Sequence, residues 1–156
     1  MNNRGFSFVE VMAASMISGV ALMAMVSMMQ MASRQVQQGG VSTRALALAQ
    51  ARVEAKRSVR WQALLEDDLD HDGNPETFMN DDGLNGDLAA GDGIYTAMQQ
   101  NRDVTLFWTV EADPRGSLKT AGLIVIRATA SYQGSSGVQE VKVETIRANP
   151  MFVGQR

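Results

Sequence analysis

Aspartates at alternate positions precede a glycine in the stretch DLDHDGNPE, residues 68–76. Alternate carboxylates followed by a glycine turn are typical of loops that wrap a hard cation such as Ca²⁺, to which a backbone carbonyl adds a further ligand. We therefore interpret this loop as a candidate calcium site and expect Ca²⁺ as its cofactor. Its predicted ligands are Asp68, Asp70, Asp72, Asn74 (through a carbonyl) and Glu76.

The loop is not an EF-hand, because the position that should carry a bidentate glutamate is Met79. A second stretch, DDGLNGDLAAGDGIYT at 81–96, resembles the glycine-rich turns of extracellular β-domains and offers Asp82, Asp87 and Asp92 as weaker candidate ligands. The alternative for both stretches is a solvated acidic segment whose aspartates hold Asx turns.

The acidic residues are strongly clustered. Ten of the seventeen lie between Glu66 and Asp92, and no lysine or arginine interrupts them, although the whole chain carries a formal charge of only -3. Carboxylates crowded in this way repel one another, and a divalent cation would relieve the repulsion. The same charge opposes phosphate, so we expect no nucleic-acid partner.

The sequence offers little for catalysis. Its one histidine, His71, lies among aspartates, and the absence of cysteine excludes disulfides and thiolate metal sites. Nucleophile–base spacings, phosphate loops and zinc patterns are also lacking. We predict that the protein is not an enzyme and has no catalytic residue.

A second chemically notable residue is Glu10, which lies at the start of an apolar run. The nineteen residues from Val11 to Met29 carry no charge. At 1.5 Å per residue they span roughly 28 Å, close to the bilayer core of about 30 Å, which predicts a transmembrane helix. A lone acid at that depth costs roughly 2.5 to 3.5 kcal/mol and usually has a partner.

Two alternatives for the apolar run are weaker. A secretory signal peptide would be shorter and would end in a small-residue cleavage site. A buried core helix would be less uniformly apolar in a domain of this size.

The N-terminal residues MNNRGFSFVEVMAASMISGVAL resemble the start of a type IV prepilin, in the superfamily of pilins and type II secretion pseudopilins. The resemblance implies a leader at 1–5 and cleavage between Gly5 and Phe6 by a membrane prepilin peptidase, which then methylates the new amine of Phe6. It also implies that Glu10 pairs with the Phe6 amine of a neighbouring subunit during assembly. The alternative is that Glu10 reaches the lipid interface and has no further role.

The resemblance also implies partners and a location. We expect other pilins or pseudopilins and an inner-membrane assembly platform as partners. The subunit would be a single-pass inner-membrane protein before assembly, and part of a surface pilus or periplasmic filament afterwards. Major pilins often carry a glycine and a proline within the membrane segment. Here Gly19 is present but no proline precedes Pro75, which favours a minor subunit.

We therefore predict a minor pilin of a type IV pilus that joins or primes the filament. A minor pseudopilin of a type II secretion system is the close alternative. A membrane-anchored calcium-binding module that never polymerises is the more distant one.

The helix is expected to continue as an amphipathic segment at 34–65, with Gly39-Gly40 as a soft point. Leu46, Ala49 and Val53 are predicted to share its buried face. A basic stripe of Arg52, Lys56 and Arg60 is interpreted either as a solvated face or as a partner for acidic surface on a neighbouring subunit.

Strand patterns follow the acidic segment. Side chains at 104, 106, 108 and 110, at 124, 126, 128 and 130, and at 141 and 143 are predicted to face one side. The fold class is therefore α+β, a type IV pilin fold with a long N-terminal helix packed on a C-terminal three-stranded antiparallel meander. The expected organisation is leader 1–5, membrane helix 6–33, amphipathic helix 34–65, acidic loop region 66–99 and sheet head 100–156.

Overall fold

The computed structural model describes residues 7–70, 72–84, 87–113, 117–135 and 137–151. The chain divides into two compact units, Met1–Gly40 and Val41–Arg156. The predicted processing residues Gly5 and Phe6 lie outside the described residues, as do His71 and the turn at 114–116.

The first unit is helical from Phe8 onward, within helix α1 (Phe8–Ser58). At its start the carbonyl of Ser7 accepts the N–H groups of Glu10 and Val11. Residues 8–40 are solvent-exposed, and their most apolar window has a mean hydropathy of 1.9. This helix is long and apolar enough to cross a membrane, by length and composition.

Helix α1 continues through Gly39 and Gly40, and the boundary between the two units follows that glycine pair. The helix ends at Ser58, not near Leu65 as predicted. Arg60 adopts an extended conformation (φ −64°, ψ 150°), which breaks the helical path before a 3₁₀ turn at Trp61–Ala63.

The second unit contains a four-stranded antiparallel sheet, and the predicted count of three strands is wrong. Its strands, in chain and sheet order, are β3 (Ile94–Asn101), β4 (Val104–Asp113), β5 (Leu123–Gly134) and β6 (Gly137–Ala148). The extra strand, β3, lies in the range predicted to be acidic loop. Two short strands, β1 (Glu66–Asp67) and β2 (Thr77–Phe78), pair with each other ahead of it.

The core lies between the second half of α1 and one face of the sheet. As predicted, the alternating apolar side chains of β4 and β5 are buried, and Val141 and Val143 of β6 pack against them. The helix contributes Ala45, Ala49 and Val53, whereas Leu46 remains 38% exposed. Small alanines at the contact allow the helix to approach the sheet closely, which confirms the α+β class of a long N-terminal helix packed on an antiparallel sheet.

An arginine from β6 caps the C-terminal end of α1. Arg147 donates from Nη1 to the carbonyl of Lys56 (2.8 Å) and from Nη2 to that of Val59 (2.6 Å). Its guanidinium also lies 5.7 Å from the ring centroid of Trp61. The cation thus satisfies carbonyls that have no partner inside the helix and complements the negative end of its dipole.

We expect Arg147→Met to destabilise the head by about 2 kcal/mol, because two charge-assisted hydrogen bonds to the helix end are lost. Arg127→Met is the matched control, since Arg127 makes an exposed pair with Glu144 on β5 and β6 and should cost under about 1 kcal/mol. Denaturant unfolding of the full chain in detergent, followed by the fluorescence of Trp61 and Trp108, measures both. Equal losses in the two variants would contradict this capping role.

Candidate functional site

Glu10 lies on an exposed helical face beside small side chains. It lines a shallow groove with residues that include Ala14, Ser15, Ser18 and Gly19. Ser15 donates its hydroxyl to the carbonyl of Val11 (2.8 Å), which satisfies that polar group within the helix itself. Small residues with internally satisfied hydroxyls allow a second helix to approach closely in lipid.

The first acidic loop closes the β1–β2 hairpin. Because Asp67 pairs with Thr77 and Glu66 with Phe78, residues 68–76 form the connection between the two strands. The structure brings together one carboxylate oxygen from each of Asp68, Asp70, Asp72 and Glu76, all within 4.8 Å of one another. These groups are mostly exposed, so a cation could reach them from solvent.

Backbone N–H groups already orient these carboxylates. Asp68 accepts from Asp72 (3.1 Å) and Gly73 (2.8 Å), and Asp72 accepts from Asn74 (2.7 Å). Glu76 accepts from the backbone of Leu69. Gly73 has a φ of +94°, a conformation that favours glycine at this turn. Asn74, the predicted carbonyl ligand, donates its backbone N–H to Asp72.

The second acidic group is built around Asp81, not around its neighbour Asp82. Carboxylate oxygens of Asp81, Asp87 and Asp92 lie within 4.8 Å of one another. Asp82 instead accepts from the backbone of Leu84 (3.0 Å). Sequence patterns do not distinguish adjacent aspartates, whereas the fold directs only one of them inward.

Asp81 holds a turn that contains two glycines. Its carboxylate accepts from the backbone N–H groups of Gly91 (2.6 Å), Asp92 (3.2 Å) and Gly93 (2.9 Å). Asp87, which is 7% exposed, accepts from Gly83 (2.7 Å). These backbone hydrogen bonds give the second group a structural use of its own, because its carboxylates hold the turn in place.

A buried ionic network lies at the base of the first acidic loop. The Asp67 carboxylate is 2.9 Å from the Lys56 amine and 3.0 Å from the Arg52 guanidinium, and it accepts the indole N–H of Trp108 at 2.9 Å. Lys56 is 1% exposed and Asp67 is 3% exposed. The Arg52 guanidinium also stacks 4.6 Å from the centroid of the Trp108 ring.

The Lys56 amine has three acceptors. Besides Asp67, it donates to the carbonyls of Leu64 (2.6 Å) and Glu66 (3.1 Å). Desolvation by burial lowers the pKa of Lys56, and the charge and hydrogen bond of Asp67 oppose that shift. The interpretation of the basic stripe as a solvated face or an intersubunit surface is therefore wrong for Arg52 and Lys56, and only Arg60 is exposed.

Sequence reasoning missed this network because the partners are distant in the chain. Lys56 and Asp67 meet only when the chain turns back after α1, and Trp108 arrives from β4. The one available signal was a pair of cations spaced i, i+4 on a helix face that also carried the apolar core residues.

Comparison with known proteins identifies a motif at the N-terminus. Residues 1–26 match the family described as the prokaryotic N-terminal methylation motif. No curated protein and no solved structure matched the chain. The match confirms the resemblance to the prepilin and pseudopilin superfamily, whose members are structural, and with the apolar helix it fits a membrane-anchored, pilin-like subunit. The motif implies processing by a prepilin peptidase and association with other pilins.

We expect Asp67→Asn to destabilise the head by about 3 kcal/mol, because it leaves two buried cations without their counter-charge. Glu54→Gln is the matched control. Glu54 makes an exposed pair with Arg57 on the same helix, and its loss should cost under about 1 kcal/mol. Unfolding midpoints of the full chain in detergent measure both variants. A midpoint for Asp67→Asn no lower than that of the control would show that the buried network is not stabilising.

Proposed function

Since the chain begins with the methylation motif of prepilins and pseudopilins, we propose that it is a minor pilin of a type IV pilus. The observation that carries this proposal is that the motif at residues 1–26 overlaps the start of an apolar helix, which begins at Phe8 and has Glu10 in its first turn. The protein inserts in the inner membrane by this helix and then joins or primes the filament through the assembly platform.

The proposed assembly step is an ion pair between subunits. Cleavage after Gly5 frees the amine of Phe6, which keeps its positive charge when methylated. Glu10 is close enough in sequence to meet such an amine at the same membrane depth in a neighbouring subunit. A carboxylate that is costly in lipid alone is stabilised by a cation in this low-dielectric setting, so its burial favours association.

The surface around Glu10 supports close packing with a neighbour. Ala14, Ser18 and Gly19 leave a groove instead of a ridge beside the carboxylate. A neighbouring helix that enters this groove would pack on these small residues and on Val11 and Leu22, which also line it, and would bring its N-terminus near Glu10. The absence of proline before Pro75 favours a minor subunit over the main building block, while a type II pseudopilin uses the same assembly chemistry.

Sheared filaments test this function. Chain recovered from them should begin at methylated Phe6 by mass spectrometry, because the motif directs cleavage after Gly5.

Glu10→Ala should leave membrane insertion intact or improve it, since a charge is removed from lipid. Its recovery in filaments should fall about tenfold, since the intersubunit ion pair is lost.

Ser18→Ala is the matched control, because it alters the same groove without touching charge. Full-length chain with an intact leader in the filaments would overturn the assignment to the superfamily. Equal recovery of Glu10→Ala and Ser18→Ala would overturn the pairing role.

A deletion strain distinguishes the pilus from the secretion system. Loss of pilus retraction or assembly in that strain, with secretion intact, favours the pilus.

We also propose that the first acidic loop binds Ca²⁺ through Asp68, Asp70, Asp72 and Glu76. The specific observation in favour is the convergence of four carboxylate oxygens on an exposed hairpin loop. The hairpin base is fixed by the buried Asp67, so the loop pays less ordering entropy when a cation binds. If the protein never polymerises, this site would make it a membrane-anchored calcium-binding module, which is the second candidate function.

Calcium should raise the melting midpoint of the full chain in detergent. The expected gain is about 2.7 kcal/mol at a hundredfold excess over the dissociation constant. Extracellular sites bind as weakly as roughly 1 mM, and for such a site about 5 mM Ca²⁺ still gives a gain of about 1 kcal/mol. The double variant Asp70→Ala, Asp72→Ala should abolish the shift, and Mg²⁺ should substitute poorly because it requires rigid octahedral geometry.

The matched control is the double variant Asp113→Ala, Glu140→Ala, which removes equal charge elsewhere and should keep the shift. No shift in the wild type would identify the loop as a solvated acidic turn.

A further inference from the structure

The edge strand β3 leaves main-chain groups open beside a groove. Thr96 exchanges backbone hydrogen bonds with Asn80 (2.8 and 3.1 Å), so its N–H and C=O point away from β4. Strand geometry repeats every two residues, and the same groups of Met98 and Gln100 therefore point the same way. Within the described ranges, no backbone partner pairs with Met98 or Gln100 at this edge.

The groove beside this edge begins where the chain diverges from β3. Asn80 pairs with Thr96 of β3, but β2, which directly precedes it in the chain, pairs with β1 and not with β3. The gap is a cavity of about 220 Å³. Its apolar wall consists of Phe78 (57% exposed), Leu84 (62%) and Met98 (52%). Large apolar side chains left this exposed around a cavity mark a contact site more often than an ordinary surface.

A second cavity, of about 210 Å³, follows the same strand toward its end. It is bounded by Gln99 and Asn101 of β3, by Asp68 and Leu69 of the first acidic loop, and by the helix side chains Leu48, Ala51 and Ala55. Two arginines lie nearby, but Arg52 is paired with Asp67 and Arg44 with Asp103. Each cavity therefore has an acidic residue in its lining, Asp82 in the first and Asp68 in the second.

We propose that this groove binds an extended segment of another polypeptide by strand addition to β3, and that the segment alternates apolar with lysine or arginine residues. Main-chain hydrogen bonds to Met98 and Gln100 hold it. An apolar side chain fills the first cavity, and a cationic side chain faces Asp68. The bridge at Asn80 stops the added strand at Thr96, so it pairs over a short length only.

Charge decides the nature of this occupant. Ten acids between Glu66 and Asp92 without a lysine or arginine repel an acidic segment and favour a basic one over a neutral one. The opposite edge of the sheet is guarded differently, because Glu140, Lys142 and Glu144 alternate along β6. Charged side chains on an edge discourage strand addition, and β3 lacks them between Ile94 and Asn101.

The test uses the full chain in detergent and calcium-free buffer, with a fluorescent peptide of about eight residues that alternates lysine and valine. The peptide should bind saturably by anisotropy. Methylating alternate backbone nitrogens should weaken binding about tenfold, because it removes the main-chain donors but leaves charge and detergent affinity nearly unchanged. Replacing lysine by glutamate should abolish binding.

Met98→Pro should weaken binding about fivefold, since it removes one outward N–H that the β3–β4 ladder does not use. Leu88→Ser, at a fully exposed loop side chain, should bind normally. Equal binding of the methylated or glutamate peptide, or no saturable binding at all, would overturn the proposal without any variant. Self-association that Met98→Pro abolishes, with no peptide bound, would assign the groove to a second copy and also overturn it.

Discussion

A buried carboxylate joins the elements of the head. Asp67 contacts Arg52 and Lys56 from α1 and the indole of Trp108 from β4, and Lys56 in turn holds the carbonyls of Leu64 and Glu66. Desolvating these charges is expensive, and the Nε of Arg52 is buried without a hydrogen-bond partner, so the arrangement is favourable only because the Asp67 carboxylate lies within 3.0 Å of both cations. The same bonds fix where the chain turns back after α1, which is the step that sets β1 beneath the helix.

This constraint extends to the acidic loop. Asp67 is both the centre of the buried network and the last residue of β1, and Asp68 is the first residue of the loop. The carbonyl of Asp67 also accepts the N–H of Glu76, which ties the two ends of the loop together. The exposed carboxylates repel one another, but the two ends of the loop are held together by these contacts of Asp67. The loop can gather four carboxylates because the cost of closing it is offset in the core.

Local pattern was enough to predict the main architecture but not the contacts that fix it. Alternation identified the buried faces of β4 and β5, because both strands are central and each has one face packed on α1. Strand β3 escaped detection because an edge strand mixes burial: Thr96 and Ala97 are both buried while Met98 is exposed. The helix end was placed too late, since the carbonyls at the true end are satisfied by Arg147, a residue from the last strand.

The candidate sites differ in the same way, because some can be found from local sequence and others depend on contacts made only in the fold. Glu10 could be singled out from sequence because its cost arises from a local mismatch, one acid in an apolar helix. The Asp67 network could not, since each of its residues is unremarkable until the fold removes water around it. Choosing Asp81 over Asp82 likewise needed the turn that carries Gly91 and Gly93, because only a folded turn aims its N–H groups at one carboxylate.

The two units satisfy their charges in different ways. The head pairs its buried cations with its own carboxylate, so its core is complete within one chain. The described part of the first unit exposes apolar side chains along its length and carries Glu10 among them. Lipid can cover the apolar surface, but lipid supplies no cation for a buried carboxylate. The intersubunit ion pair proposed for Glu10 would supply from another molecule what Asp67 supplies to Lys56 and Arg52 inside the head.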